Sequence, residues 1–209
     1  MSKYNFYVED VSVEAIFNKL GGVAGAKRLL RDELTLVEVD RPWREEDSVI
    51  SFSVESNGTT GSQWIIVLES MGYSLSNYAK QVLLSRDFKP TDGMRTEIVV
   101  LKGDLFKDGD RSTKKIRTEA SRRGFSAPNA EVACIIRLKF TDEEITKMGL
   151  WAIVAMHEPI NDADGGPSLL GADRYGVGRW LDAYRGRPDS RWSRGSGFAF
   201  AVSQVSSQP

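Results

Sequence analysis

Leu169-Leu170-Gly171-Ala172-Asp173-Arg174-Tyr175-Gly176-Val177-Gly178-Arg179-Trp180-Leu181-Asp182-Ala183-Tyr184 is written in a narrow alphabet. The narrowness extends to both sides: residues 159–203 contain no Lys, Glu, Gln or Met. Those four residues make up roughly a sixth of the 209-residue chain, so about seven are expected over a span that has none. Arg, Asp, Gly, Ser, Tyr and Ala fill the space between Trp180, Trp192 and Phe198. These three rings can bury enough area to hold a long loop system in place.

Upstream, the hydrophobic pattern is that of an ordinary α+β chain. Two short amphipathic helices over 11–20 and 23–34 are joined by Gly21-Gly22, the second carrying Val23, Ala26, Leu29 and Leu30 on one face. A strand is expected over 35–39. A clearer one lies over 48–56, where Ile50, Phe52 and Val54 alternate with serines. Helices follow from Thr60 or Ser62 to Gly72 and from Ser74 or Ser76 through Leu83. The turn-rich Phe88-Lys89-Pro90-Thr91-Asp92-Gly93 marks the best internal boundary, separating a small α/β module (1–90) from a C-terminal domain (91–209). The second part opens with a buried-type strand over 96–101. A charged helix over 112–123 with Ile116 and Ala120 on its apolar face comes next, then an apolar helix opened by Pro128. Thr141 and Glu144 form a capping box for a third helix. Residues 150–156 are an apolar run of strand length, and 197–202 close the chain's pattern as a final strand. Between those two strands stand about forty residues that read as irregular, a length that is usually functional inside a compact domain.

Composition narrows the function classes. At 41% apolar and 27% charged residues, the chain can build a sizeable core, and a net charge of −1 provides no global field toward nucleic acid or membrane. Cys134 is the single cysteine, which excludes an internal disulfide and a Cys-based zinc cluster. No apolar run reaches membrane-spanning length, and Met1-Ser2-Lys3-Tyr4 opens without the apolar segment of a signal peptide. A cytoplasmic protein is the default expectation, with surface display by another route left open.

A codon-level route produces the narrow alphabet. Asn codons AAC and AAT, with both adenines randomised, encode Phe, Ser, Tyr, Cys, Leu, Pro, His, Arg, Ile, Thr, Asn, Val, Ala, Asp and Gly. They never encode Lys, Glu, Gln, Met or Trp. Trp180 and Trp192 fit this scheme, because the Trp codon contains no adenine and is copied unchanged.

The segment 169–204, above all Gly178-Arg179-Trp180-Leu181-Asp182-Ala183-Tyr184, Pro188-Asp189-Ser190-Arg191-Trp192 and Gly197-Phe198-Ala199-Phe200-Ala201-Val202-Ser203-Gln204, resembles the variable regions of diversity-generating retroelement target proteins. Thr59-Thr60-Gly61-Ser62-Gln63-Trp64 and Pro128-Asn129-Ala130-Glu131-Val132-Ala133-Cys134 resemble the shared body of one such group. The resemblance implies a C-type-lectin-like C-terminal domain with its variable region at about 168–204, built by interleaving fixed and mutated positions. Fixed positions would be Leu169, Leu170, Ala172, Arg174, Gly178, Trp180, Leu181, Ala183, Pro188, Trp192, Gly197 and Phe198. Diversified, ligand-binding positions would be Asp173, Tyr175, Val177, Arg179, Asp182, Tyr184, Gly186, Asp189, Ser190, Ser193 and Ser196. The Gly-Gly-Ser-Trp turn of many lectin-type variable regions is absent. Tyr and Arg suit such a surface because they offer large or multidentate contacts at small entropic cost, with Ser, Gly and Asp as adaptable neighbours. The implied partner is a protein or other macromolecule. No nucleic acid, membrane or enzymatic activity is expected, and a homo-oligomer is left open.

Other motifs have plainer readings. Asn161-Asp162-Ala163-Asp164-Gly165 begins like a calcium loop, with Asp162 and Asp164 as ligands, but lacks the closing Glu, and an Asx-rich turn is the simpler reading. Cys134 sits among apolar residues as a small hydrophobe rather than a nucleophile paired with His157. His157-Glu158 reads as closing the central strand onto the loops. Lys114, Lys115, Arg117, Arg122 and Arg123 give a basic helix that could meet phosphates, diluted by Asp104, Asp108, Asp110 and Glu119. Two alternatives to the diversified reading therefore stand: a fixed-specificity lectin-like or protein-interaction module, and a nucleic-acid-associated protein or an enzyme using Asp and Arg from the loops.

Overall fold

The computed structural model describes residues 13–35, 41–175 and 178–202, and the chain divides into units 1–41 and 42–209. In the first unit, α1 (Val13–Lys19) and α2 (Gly22–Leu30) are joined by Gly21 and Gly22 in left-handed backbone, φ 82° and 74°. Only glycine adopts that conformation without strain. The second helix stops at Leu30 rather than reaching Leu34, and Val23 and Leu30 of its apolar face stay exposed. Helices this short are marginal in isolation. Most of the strand expected over 35–39 lies outside the described residues.

In chain order the second unit runs β1 (Arg44–Glu46), β2 (Val49–Asn57), α3 (Gly61–Ser70), β3 (Ser74–Leu75), α4 (Asn77–Leu84) and β4 (Asp92–Lys102). Two 3-10 turns follow, then α5 (Thr113–Arg122), β5 (Phe125–Ser126), α6 (Val132–Lys139), α7 (Asp142–Lys147), β6 (Ala152–Ala155), β7 (Ile160–Asn161), β8 (Pro167–Tyr175), β9 (Gly178–Arg185) and β10 (Ser196–Val202). One mixed sheet takes the path β1-β2-β4-β10-β6-β8-β9-β3, with β5 added to β10 and β7 to β8. Its pairs are antiparallel except β6 with β10 and β3 with β9.

The boundary expected near residue 90 is overturned. Strand β2 is laddered to β4 from Val49↔Leu101 to Val54↔Thr96, and β3 pairs with β9. Trp64, Leu68, Val82 and Leu83 share a core with Ala133, Cys134, Leu170 and Leu181. Pro90 and Gly93 only carry the chain from α4 into β4, so within the second unit the residues on either side of the expected boundary share one sheet and one core.

Strand periodicity explains the layering. In β4, Ile98 and Val100 join Ile50, Phe52, Ile153 and Ala199 under Ile136, Phe140 and Ile145 of the α6–α7 side. Val99 and Leu101 point the other way, to Phe198, Phe200 and Val154 beneath Ile116 and Ala120 of α5. A strand covered on both faces reads as a continuous apolar run. Local caps form as the sequence dictates: Thr60 with Gln63 and Thr141 with Glu144 make reciprocal capping boxes, and Ser76, rather than Ser74, caps α4. Helix α6 begins at Val132, later than Pro128 would place it, because Asn129 Oδ1 accepts the Glu131 N–H and holds a turn there.

The stretch that reads as an irregular excursion is largely a hairpin. Strands β8 and β9 pair from Ser168↔Arg185 through Gly171↔Asp182 to Tyr175↔Gly178. Its glycines read as breakers, and neither strand alternates cleanly between apolar and polar, so the period-2 signal is hidden.

Candidate binding face

The ladder sorts the expected ligand-binding positions. Trp180, Asp182 and Tyr184 share one face of β9, and Asp173 of β8 lies opposite Trp180 on that face. Arg179 belongs to the other face, where its guanidinium lies 5.7 Å from the centre of the Tyr73 ring. Tyr175 closes the ladder opposite Gly178, while Val177 lies outside the described residues.

Three of the expected display positions are interior. Asp173 is only 3% exposed; its Oδ2 accepts the Tyr184 hydroxyl at 2.5 Å and its Oδ1 has no partner. Burial, with a smaller contribution from the Asp182 charge, pushes its carboxyl up to about 7. Burial and the same Asp173 contact raise the Tyr184 phenol. Gly186 is buried, and a Cβ there would stand 3.0 Å from Leu169 Cγ. Ser196 is 1% exposed. None of the three can present its side chain to a ligand in this structure, so their assignment as contact positions is corrected: Asp173 and Ser196 are interior polar groups, and Gly186 is a packing requirement.

Asp189 and Ser193 are exposed and Ser190 is half-buried, all on the loop 186–195. Main-chain groups hold that loop. Pro188 O accepts from Lys114 N at 2.9 Å, Ser190 O from Thr113 N at 3.1 Å, and Gly195 O from Trp151 N at 3.0 Å. Gly186 N donates to Pro167 O at 2.7 Å, and Trp192 N to Arg111 O at 2.9 Å. The loop carbonyls thereby satisfy the first N–H groups of α5, which Ser112 leaves without a side-chain cap. Side chains add a few pins. The Trp192 ring meets Tyr184 and Phe198 edge-on at 5.4 and 5.6 Å and donates Nε1–H to Thr113 Oγ1 at 3.0 Å. Trp151 Nε1 donates to Ser193 Oγ at 2.7 Å.

A groove of about 870 Å³ opens between α5 and this loop, with Phe106, Lys114 and Lys115 among its lining and Pro188, Asp189 and Arg191 on the loop side. The basic helix beside it is largely neutralised locally. Lys115 pairs with Asp110, Arg122 and Arg123 with Glu119, and Arg117 turns inward to His157 O and Glu158. Hydrogen bonds from Arg122 and Arg123 pull the Glu119 carboxyl down to about 2.

The remaining motifs resolve into structural roles. Asp162 Oδ1 accepts from the backbone N–H of Asp164 and Gly166, and Oδ2 from Ser168, the geometry of an Asx turn. Those hydrogen bonds, Gly166 first, hold its carboxyl below the usual range. Asp164 meets the Tyr78 hydroxyl at 3.4 Å. Among the described residues, no group of three or more His, Cys, Asp or Glu stands together for a metal ion. Cys134 is fully buried, and desolvation raises its thiol well above the usual range. His157, 1% exposed, accepts the Leu170 N–H at Nε2 (3.0 Å) and donates from Nδ1 to Glu158 O (2.7 Å). Burial lowers its imidazole to about 4, so it is neutral.

Two buried arginines that position the face carry no sequence signal of their role. Arg137 ties α6 to β8 through Asp173 O at 2.7 Å and to Asp142 at 2.9 Å. Arg111 reaches Phe106 O, Trp192 O and Asp108. Only the Asp108–Arg111 spacing could have hinted at the second.

Compared with models of known families, with curated proteins and with solved structures, the chain matches none. Among the described residues no helix is long and apolar enough to cross a membrane.

Proposed function

We propose that this chain is a non-enzymatic, hypervariable ligand-binding protein: a C-type-lectin-like domain with a region at about 168–204 diversified by adenine-specific retroelement mutagenesis. The carrying observation is the way residues 186–195 are held. Hydrogen bonds between main-chain groups, present whatever the side chains, fix the loop's course over α5, while rings of Trp192 and Phe198 anchor it. Side chains at Asp189, Ser190 and Ser193 can then change with little effect on the fold, as a paratope requires. The lectin-like part of the reading draws support from chain order. Strand β4, helices α5 to α7, strand β6, the β8–β9 hairpin and strand β10 give the strand, helices, strand, excursion, strand succession that the resemblance implies. The described display set reduces to Arg179, Asp182, Tyr184, Asp189, Ser190 and Ser193. The ligand is a protein or other macromolecule.

One observation favours the second reading, a fixed-specificity interaction module: Asp173, Gly186 and Ser196 are as constrained as scaffold positions. The gene neighbourhood separates the two. Diversification requires a near-identical repeat that differs only at template adenines, beside a reverse transcriptase gene. Sibling copies should differ at Asp182, Asp189 or Ser190 and agree at Trp180, Trp192 and Phe198. Equal variation at the rings and at the display positions would sink the proposal.

A further inference from the structure

We infer that the groove between α5 and the loop 186–195 seats an acidic peptide segment of a protein partner, its carboxylates on Lys107, Lys114 and Arg191 and an apolar side chain against Phe106 and Pro188. The inference rests on the binding-face reading and adds the chemistry of the ligand.

Three observations carry it. First, at about 870 Å³ the groove has the volume of a ligand cleft. Its two walls are tied together, Lys114 N donating to Pro188 O at 2.9 Å and Arg191 Nη1 to Gly109 O at 2.8 Å. A cleft formed before binding loses less order on association. Second, the groove has an excess of cations. Lys115 pairs with Asp110 and Arg123 with Glu119, which leaves Lys107, Lys114 and Arg191 in the lining against Asp189 alone. Among the described residues none of those three cations has a carboxylate in ion-pair contact. Asp110 is held below the usual carboxylate range by Lys115 first, then by Lys107 and Arg191, so these cations stand around one point. Third, the lining includes apolar surface. The Phe106 ring is half-buried and held edge-on to Phe198 at 6.2 Å, and Pro188 is exposed.

The surroundings select among anions. A phosphate chain binds by neutralising successive charges along a basic track, and Asp110, Glu119 and Asp189 interrupt this one. Separate carboxylates on a peptide can meet separate cations, and the peptide's apolar side chain gains from covering Phe106 and Pro188. In the diversified reading, Lys107 and Lys114 precede the changing segment at about 168–204. The demand for acid therefore belongs to the constant wall, and Asp189 on the opposite wall opposes it and tunes the fit.

The test titrates the full chain, ¹⁵N-labelled, with the blocked peptide acetyl-Glu-Phe-Glu-amide. Saturable shifts of the Phe106, Lys114 and Asp189 amides are expected. The Gln-Phe-Gln peptide should bind about ten-fold more weakly, and the Glu-Ala-Glu peptide at least about five-fold. Lys107→Gln combined with Lys114→Gln should weaken the acidic peptide about ten-fold. Lys147→Gln, on α7 across the sheet, should change nothing, and Asp189→Asn should tighten binding about two-fold. Equal shifts with Gln-Phe-Gln, unaltered affinity in the double variant or weaker binding in Asp189→Asn would overturn the inference. So would an oligothymidylate that moves the same amides at equal or lower concentration, which would make the groove a phosphate site. Variation among sibling copies is read separately, so loss of this site leaves the display proposal standing.

Discussion

Two connections leave the same sheet and are held by different means. Residues 156–166 link β6 to β8 with side chains added to the short β7–β8 ladder: the His157 ring replaces a ladder partner for Leu170, Asp162 caps its own turn, and Gln81 accepts the Ala163 N–H. Residues 186–195 link β9 to β10 mainly through main-chain bonds to the segment before and at the start of α5. The first connection is specified by the identity of a few residues. The second is specified by where the backbone runs, and that is the condition under which a surface can change sequence without changing shape.

Trp192 marks the limit of this contrast, because it is the loop's principal side-chain anchor. Trp192→Ala removes two ring contacts and the bond to Thr113 Oγ1. A loss of about 3 kcal/mol in urea unfolding is expected. A loss below about 1 kcal/mol would mean that the backbone bonds alone suffice.

The side-chain-held connection should be sensitive to acid. The folded His157 has its proton affinity lowered from 6.5 to about 4, so its contribution is full above pH 6.5 and fades as pH falls toward 4. The span corresponds to about 3 kcal/mol. Asp173 works in the opposite direction, because its folded carboxyl is raised from 3.8 to about 7 and stability is lost as pH rises through that window. The two slopes oppose each other between pH 4 and 6.5, so the unaltered chain should be nearly level there. Asp173→Asn should expose the His157 slope as a fall of about 3 kcal/mol between pH 6.5 and 4. A level profile in that variant would show that His157 does not hold the connection.

The same contrast explains what the sequence could reveal. The alternation of Ile50, Phe52 and Val54 and the Thr141–Glu144 capping box are local signals, and each forms as written. The β8–β9 hairpin is hidden because its faces mix Trp180, Asp182 and Tyr184 with Arg179, Leu181 and Ala183, leaving no apolar stripe. The expected division near Pro90 fails because strand pairing between β2 and β4 is a long-range fact, invisible to turn residues. Within the site, composition identifies which region is unusual but cannot rank its members. Asp173 and Asp189 are the same residue type, one sealed under Tyr184 and one exposed, and only the ladder distinguishes them.

Asp162→Ala should act locally, with a smaller loss than either change above. Its carboxylate accepts from Asp164, Gly166 and Ser168, so faster amide exchange at Asp164 and Gly166 is expected, with β8 and β9 unaffected. Faster exchange throughout the hairpin would mean that the two connections are coupled, and the comparison between them would fail.

Ser190 permits the finest test, since its side chain and its main chain can be altered separately. Ser190→Ala and Asp189→Ala remove only side-chain atoms from the loop, and each should stay within about 0.5 kcal/mol of the parent. Ser193→Ala should cost up to about 1 kcal/mol, because the Trp151 indole loses an acceptor. Ser190→Pro deletes the N–H that donates to Arg187 O at 3.0 Å and should cost about 2 kcal/mol, several times the alanine change at the same position. If alanine and proline cost the same, the loop depends on what its side chains are rather than on where its backbone lies, and it could not serve as a variable surface.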